Sequence, residues 1–420
     1  MDPLATTRNV YQRLAKFTGP PVPAMRAWDG TTWGDADAHA TIVLRHPAAL
    51  RSLFLPPNDL AAGEAYIFDD VDIEGDIVAA LEWGARLAPM ARRPLAAARV
   101  LRAVRRLPNP PRQAGARPTF RGRLHSPWRD RQAVSHHYDT GNDFFRQFLD
   151  PDLVYSCAYF LDPSEPLEAA QRRKLDVVCR KLELAPGMRF LDVGCGWGSL
   201  VIHAAATYGV DAVGITLSHE QAELARERVA EAGLSDRVTI RLADYRHLDE
   251  QFDAIASIGM VEHVGDRRLG VYFDRLFRLL TPGGQLLNHG ITNRNRPSRW
   301  LPRRRRPTFI NTYVFPDGEL LAVERIVRRA EEAGFELRDS ESLRWSYART
   351  LRHWVDNLEA NRAAAVAAAN EATYRIWRIY MAGSAVAFEG AAINVYQMLL
   401  SRPERPWRYG RRGLLAADDA

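Results

Sequence analysis

Residues 189–198 read Arg-Phe-Leu-Asp-Val-Gly-Cys-Gly-Trp-Gly, an apolar run that meets glycines at three alternate positions, Gly194, Gly196 and Gly198. Glycine lets a backbone approach a ligand closely, so this turn can offer main-chain N–H groups to a bound molecule, and Asp192 can contact a charged group. The spacing is G-x-G-x-G, not the G-x-G-x-x-G of dinucleotide folds. Further along stand Thr216-Leu217-Ser218 with Gln221, then Asp244-Tyr245, Glu262-His263 and His289. Each of these, taken alone, is equally served by capping or turn chemistry, and a lone Glu-His pair more often caps a helix than catalyses. Their collective placement carries the argument.

That placement follows from the elements. Helix 166–183 precedes a strand at 189–193, helix 199–208 leads to a strand at 211–216, and helix 218–232 to a strand at 237–242. Phe252–Ile258 is a fourth strand, helix 268–280 follows, and Gln285–Ile291 is a fifth. Strands alternating with helices predict an α/β fold with a parallel sheet, whose ligands sit at the carboxyl ends of the strands. Most of the residues above fall at such ends. The end of the chain, 343–400, is predicted helical and is rich in aromatics. Upstream, Thr41–His46 reads as a strand and Asp76–Leu87 as a helix.

The 420 residues carry a formal charge of +6, with 46% hydrophobic and 26% charged residues, and predict two domains. The charge is uneven: residues 86–131 hold thirteen arginines against one acid, Asp130. On a helix through 95–107, Arg99, Arg102 and Arg106 share one face and Ala97, Val100, Leu101 and Val104 the other. This suits either an interfacial helix on an anionic membrane or a solvated face on a helix packed to its own domain. A second basic block is Arg303–Arg306. Only Phe120 and Trp128 are interleaved aromatics in 86–131, which argues against single-strand nucleic-acid binding, and no nucleic-acid partner is expected. No apolar run has the length of a membrane span. Cys157, Cys179 and Cys195 lack metal-ligand spacing and read as reduced thiols, so the expected location is cytoplasmic, peripheral to the inner face of the membrane.

The glycine turn resembles motif I of the S-adenosylmethionine (SAM) methyltransferases, and the resemblance narrows with the rest of the chain. His137-Tyr-Asp-Thr-Gly-Asn-Asp-Phe-Phe145, Tyr155-Ser-Cys-Ala-Tyr-Phe160, Leu191-Asp-Val-Gly-Cys-Gly-Trp-Gly198, Gly214-Ile-Thr-Leu-Ser218 with Glu220-Gln221, Glu262-His-Val-Gly265 and Tyr313-Val-Phe-Pro-Asp-Gly-Glu-Leu320 come in the order of the cyclopropane-fatty-acyl-phospholipid synthase family, which includes mycolic-acid cyclopropane synthases. The resemblance covers roughly 130–402 and extends more weakly into the N-terminal third at Gly63-Glu-Ala-Tyr66. It implies a Rossmann-like class I SAM methyltransferase sheet with helical additions, plus a smaller N-terminal α+β lipid-contacting domain. The expected boundaries are 1–105 for that domain, 106–130 for a basic Pro-rich linker, 131–402 for the catalytic domain and 403–420 for a tail.

The resemblance further implies roles. SAM would be held by Tyr155, Ser156, Asp192, Gly194, Gly196, Gly198, Thr216, Leu217, Gln221, Asp244, Tyr245 and Ile258. Thr216 and Gln221 would bond the ribose, and Asp244 the adenine amine with Leu217 packed on the ring. The substrate would be a cis double bond in an unsaturated phospholipid acyl chain. Methyl transfer to it leaves a carbocation that aromatic faces can stabilise, with Tyr155, Tyr159, Phe160, Tyr313, Trp345 and Trp354 as candidates. In the family a bound bicarbonate then removes a proton, and its site maps onto Cys157, Glu262, His289, Ile291 and Tyr347. Glu262 would accept from bicarbonate, His289 and Tyr347 would donate, and Cys157 and Ile291 would offer backbone groups. Val261 stands where many members have Phe, and Asn288 and Gly290 around His289 are also departures. The expected product is a cyclopropane fatty acid. A methylene- or methyl-branched product shares every step up to the cation, and small-amine N-methylation and a non-catalytic relic are more distant rivals. The family implies a possible homodimer.

Overall fold

The computed structural model describes residues 2–111, 117, 118, 129, 140–294 and 307–404. His136 and His137, the Arg303–Arg306 block, most of the 106–130 linker and nearly all of the 403–420 tail lie outside these. The chain divides into two compact units. Two later segments, 301–316 and 369–386, group with the first 119 residues, and the remainder forms the second unit.

In the first unit, Asp2 accepts from the Leu4 and Ala5 amides and so starts helix α1 (Pro3–Thr18). Strands β1 (Ala24–Arg26), β2 (Thr32–Trp33), β3 (Ala40–Leu44) and, after helices α2 (Ala49–Phe54) and α3 (Asp59–Ile67), β4 (Val71–Gly75) form a sheet of order β2-β1-β3-β4. Helix α4 (Ile77–Ala85) starts where the Asp76 side chain accepts from the Ala79 amide. Helix α5 (Pro94–Val104) turns Val100 and Val104 into a core with Leu14, Met25, Ile42 and Trp83, while Arg99, Arg102 and Arg106 stay exposed. The apolar face of this helix therefore packs on its own unit and the basic face is solvated.

The second unit opens with α6 (Asn142–Phe145) and α7 (Leu167–Lys181). Then come β5 (Arg189–Val193), α8 (Ser199–Tyr208), β6 (Asp211–Thr216), α9 (His219–Glu231), β7 (Val238–Leu242) and β8 (Phe252–Ile258), all within a residue of their predicted bounds. Helices α10 (Val261–Val264) and α11 (Leu269–Leu279) lead into β9 (Leu280–Asn293). Helix α12 (Phe309–Tyr313) belongs to the first unit, and α13 (Val323–Glu332) to the second. Next are β10 (Glu336–Ser342), α14 (Arg344–Ala360), α15 (Arg362–Ala368), α16 (Glu371–Glu389) and β11 (Ile393–Ser401).

Among the described residues the second sheet has the order β10-β11-β9-β8-β5-β6-β7. Strands β5 to β9 pair in parallel, as expected, and both faces are covered: Leu191 and Val193 of β5 enter one core cluster, Phe190 the other. The expectation of a helical chain end needs correction. Residues 393–401 form β11, antiparallel to both β9 and β10, so the sheet is mixed. The apolar cluster Met398-Leu399-Leu400 fits a helix or a strand equally well, and the pairing edge left open by β9 decides for a strand. β10 is Glu-Leu-Arg-Asp-Ser-Glu-Ser, too polar to announce a strand, and its place on the sheet edge accounts for that composition. Among the described residues no helix is long and apolar enough to cross a membrane.

Candidate functional site

At the carboxyl end of β5 the chain runs through positive φ at Gly194 (89°), Gly196 (53°) and Gly198 (84°). The amides of Gly194 and Cys195 both donate to the Ile215 carbonyl of β6, at 3.0 and 2.9 Å, so the turn is anchored to the neighbouring strand. A Cβ at Gly194 would stand 2.8 Å from Met260 Cγ, whereas one at Gly196 would meet nothing within 4 Å. Gly194 thus serves a close approach of its own chain, and Gly196 borders open space.

That space is a cleft open to solvent. Of the residues assigned to SAM, Gly194, Gly196, Thr216, Leu217, Gln221, Asp244, Tyr245 and Ile258 line it. Val193, Gly259, Met260, Arg246, His263 and Arg268 also line it and were not assigned to SAM from sequence; Val193 and His263 stand inside the quoted motifs, and the other four lie in segments after strand ends that carry no motif of their own. Thr216 Oγ1 donates to Gln221 Oε1 at 2.8 Å, which leaves the Gln221 amide hydrogens uncommitted in that bond. The Arg246 side chain grips Asp244 through Nε at 2.8 Å and a terminal nitrogen at 2.5 Å. Burial pushes the Asp244 carboxyl up, but Arg246 outweighs it and holds the group below its usual value. A close-approach glycine turn, apolar walls at Leu217, Tyr245 and Ile258, an ionised acid and an amide make a cleft suited to SAM.

Tyr155, Ser156, Asp192 and Gly198 are not part of its lining. Gly198 caps α8. Asp192 is buried behind the turn, its Oδ1 without a partner, and burial pushes its carboxyl up to about 7. Lys174, buried on α7, donates to Ser156 Oγ at 2.8 Å, and burial lowers its ammonium to about 8 against the pull of Asp150, Cys157 and Asp192. Gln171 donates to the Val154 and Ser156 carbonyls, so α7 holds the whole 154–156 segment.

A second group of residues lies just beyond β8, on α10, and on the neighbouring stretch of β9. Glu262 Oε1 accepts from the Ile291 amide at 2.6 Å, while its Oε2 is buried and has no partner. Burial raises this carboxyl to about 7, against the Ile291 hydrogen bond. The amide of Ile291 is therefore spent on orienting Glu262. His289 is 2% exposed, with Gln397 at 3.2 Å from Nδ1 and no partner on Nε2. Burial, reinforced by Lys174 and Lys181, lowers its pKa to about 3, so the ring is neutral. Backbone pairing links the other assigned residues to this place: Ile291 pairs with Val395, the Val395 carbonyl accepts from the Leu343 amide, and the Leu343 carbonyl accepts from Tyr347 N and lies 3.7 Å from Cys157 Sγ. Burial pushes the Cys157 thiol well up, so it is no nucleophile.

The departures around His289 lie on the opposite face of β9. Asn288 accepts from Tyr272 Oη at 3.0 Å, and a Cβ on Gly290 would stand 2.2 Å from Val261 Cγ1. Val261 and Gly290 thus fit each other and leave the His289 face alone. The aromatic candidates divide. Tyr155 packs against Trp354, Phe145 and Phe148, and Trp354 meets Tyr347 edge-on. Tyr159 is tied to Glu341, Phe160 stacks on His353, Tyr313 lies in the first unit and Trp345 is 65% exposed.

Residues 125–398 match the family described as mycolic acid cyclopropane synthetase. The chain is 39% identical over 392 residues to the probable fatty acid methyltransferase of Pseudomonas putida, covering 91% of this chain and 94% of that one. It is 41% identical over 266 residues to the cyclopropane-fatty-acyl-phospholipid synthase of Escherichia coli K12, covering 63% and 66%. The solved structure of mycolic acid cyclopropane synthase CmaA1 complexed with SAH and CTAB superimposes with a TM-score of 0.60 at 37% identity, over 64% of this chain and 98% of that one.

Proposed function

This chain belongs to the mycolic acid cyclopropane synthetase family of SAM-dependent methyltransferases that modify lipids, and from there we propose that it acts on the cis double bond of an unsaturated acyl chain in a membrane phospholipid and yields a cyclopropane fatty acid. The observation that carries this reading is that Glu262 Oε2, on the helix that follows β8, and His289 Nε2, on β9 beside the last residue of β8, are both buried and without a partner. A neutral imidazole donor and a carboxylate acceptor complement an anion that itself carries a proton, and bicarbonate is such an anion.

SAM, held by the glycine turn, Gln221, Asp244 and the walls of the cleft, would supply an electrophilic methyl group. Bicarbonate, held by Glu262 and His289, would supply the base that takes a proton from that methyl as the ring closes. The protein's own part is positioning and dryness: an alkene is a weak nucleophile, and near-attack placement in a water-excluded site provides most of the available acceleration. The packed rings of Tyr155 and Trp354 would provide faces for a developing cation. The exposed arginines of α5 would meet an anionic membrane surface.

A methyl- or methylene-branched product is the second reading, favoured by the relative that matches almost the whole chain being named a fatty acid methyltransferase, with no ring specified. Mass spectrometry of fatty acids from a host lacking its own synthase, expressing this chain and fed methyl-labelled methionine, separates the two. A labelled acid that resists mild hydrogenation and opens only under ring-cleaving conditions supports the ring. One that takes up hydrogen readily, or is already a saturated branch, moves the assignment to the second reading.

A further inference from the structure

His289 lies in a row that crosses three strands: Glu341 of β10 pairs with Gln397 of β11, and Gln397 pairs with His289 of β9. Lys181, at the end of α7, reaches this row from above. Its side chain is 3% exposed, and its ammonium contacts Glu341 Oε2 at 2.5 Å, Gln397 Oε1 at 2.8 Å and Asp339 Oδ2 at 3.9 Å. Tyr159 Oη donates to the other Glu341 oxygen at 2.7 Å.

The chemistry of the groups leaves one proton arrangement. An ammonium only donates, so it must face the amide oxygen of Gln397. The amide nitrogen then faces His289, and it too only donates. His289 Nδ1 must accept, and in a neutral imidazole the proton then sits on Nε2. That nitrogen is the buried one without a partner. We propose that Gln397, itself oriented by Lys181 and Glu341, is a positioning residue that fixes the tautomer of His289 so that Nε2–H points a donor at the bound anion. The anion rests on the function proposed above; the tautomer does not.

Gln171 and Lys174 showed that α7 holds the 154–156 segment, and the same helix here holds the histidine row. Lys174 and Lys181 sit at positions that α7 otherwise gives to buried Leu167, Ala170, Leu175 and Val178. A lysine on the buried face of a helix costs desolvation unless it has partners, and these partners lead to the site.

The test is nitrogen-15 NMR of histidine-labelled protein, with His289→Gln for assignment, on wild type, Gln397→Leu and Gln397→Glu. Wild type is expected to carry its proton on Nε2 across neutral pH. Gln397→Leu removes the donor and should give a mixture of tautomers. Gln397→Glu keeps the size and the Lys181 contact but offers Nδ1 only acceptors, so Nδ1 should become protonated. In turnover assays on unsaturated phospholipid vesicles, with bicarbonate added back to degassed buffer, the KM for bicarbonate should rise about tenfold in Gln397→Leu. SAH affinity, measured by calorimetry, should stay within twofold of wild type. A proton on Nδ1 in wild type, or a bare Nδ1 in Gln397→Glu, overturns the proposal. If the tautomers behave as expected but turnover ignores bicarbonate, the tautomer assignment stands and the bicarbonate reading falls.

Discussion

Glu262 keeps a buried carboxyl at a cost to the fold, which is what the proposed role would require. Its carboxyl would ionise near 4.5 in an unfolded chain and does so near 7 in place, because burial penalises the charge more than the Ile291 amide relieves it. Between those two values the folded state binds more protons than the unfolded state, so this group's contribution to stability falls as pH rises from about 4.5 to about 7 and is flat above. The window is worth about 3 kcal/mol. Glu262→Gln should remove it: denaturation curves at pH 5 and pH 8 should differ less in the variant than in wild type, with the variant relatively more stable at the higher pH. Turnover should be lost while SAH still binds. A variant with wild-type turnover sinks the catalytic assignment. Asp192 and Asp150 are also raised by burial, to about 7 and about 6, and remain in both proteins, so the comparison isolates Glu262. The same scale holds Gly194. At φ 89° and with Met260 against the Cβ position, Gly194→Ala is expected to weaken SAH binding about tenfold, as read by calorimetry, from the cost of a left-handed backbone.

At the level of elements, the site is made by adjacency of strand ends. Parallel strands β5, β6 and β8 bring the glycine turn, Thr216 and Ile258 to one edge, and β9 adds His289 beside Ile258 in register. Helix α10 then needs to sit close on β9 for Glu262 to reach Ile291. The contact that permits this is Val261 over Gly290. Gly290→Ala should destabilise by about 1–3 kcal/mol through overpacking, and Val261→Ala should relieve most of that cost. Urea denaturation of the two single variants and the double measures the coupling; additive effects would mean that the two residues do not meet. Turnover in the pair also tests whether the approach of α10, and not the identity of either side chain, matters to Glu262.

For the whole molecule, the candidate chemistry and the exposed basic face fall in different units. The second unit contains the cleft, the Glu262–His289 pair and the buried aromatic cluster. The first carries the exposed arginine face of α5, and it recruits part of α16: Arg375 donates to the Tyr66 carbonyl at 2.7 Å and Arg378 to the Tyr66 hydroxyl at 2.8 Å. An arginine near an anionic membrane contributes about 1 kcal/mol, so on the proposed membrane contact Arg99, Arg102 and Arg106 would together contribute about 3 kcal/mol, roughly a hundredfold in affinity. Co-sedimentation with anionic vesicles should fall by that order in the triple Arg→Glu variant, and in wild type as salt is raised. Unchanged binding would remove α5 from the membrane-contact assignment.

Much of this protein can be read from its residues in order. The strand–glycine–helix unit at 189–208, the alternation through Leu279 and the residues of the cleft are local patterns, and periodicity with glycine chemistry is sufficient to locate them. Glu262 lies just after β8 and His289 within β9, so the sequence alternation was enough to place both near the strand ends. The antiparallel strands β10 and β11 were not identifiable, since β10 is polar and β11 has no decisive period; their pairing with β9 supplies the hydrogen bonds that make them strands. With them came Gln397, Glu341 and the contact to Lys181, residues up to 216 positions apart. Which nitrogen of His289 holds its proton is a property of that row alone, because only a donor and acceptor brought together across strands can choose it.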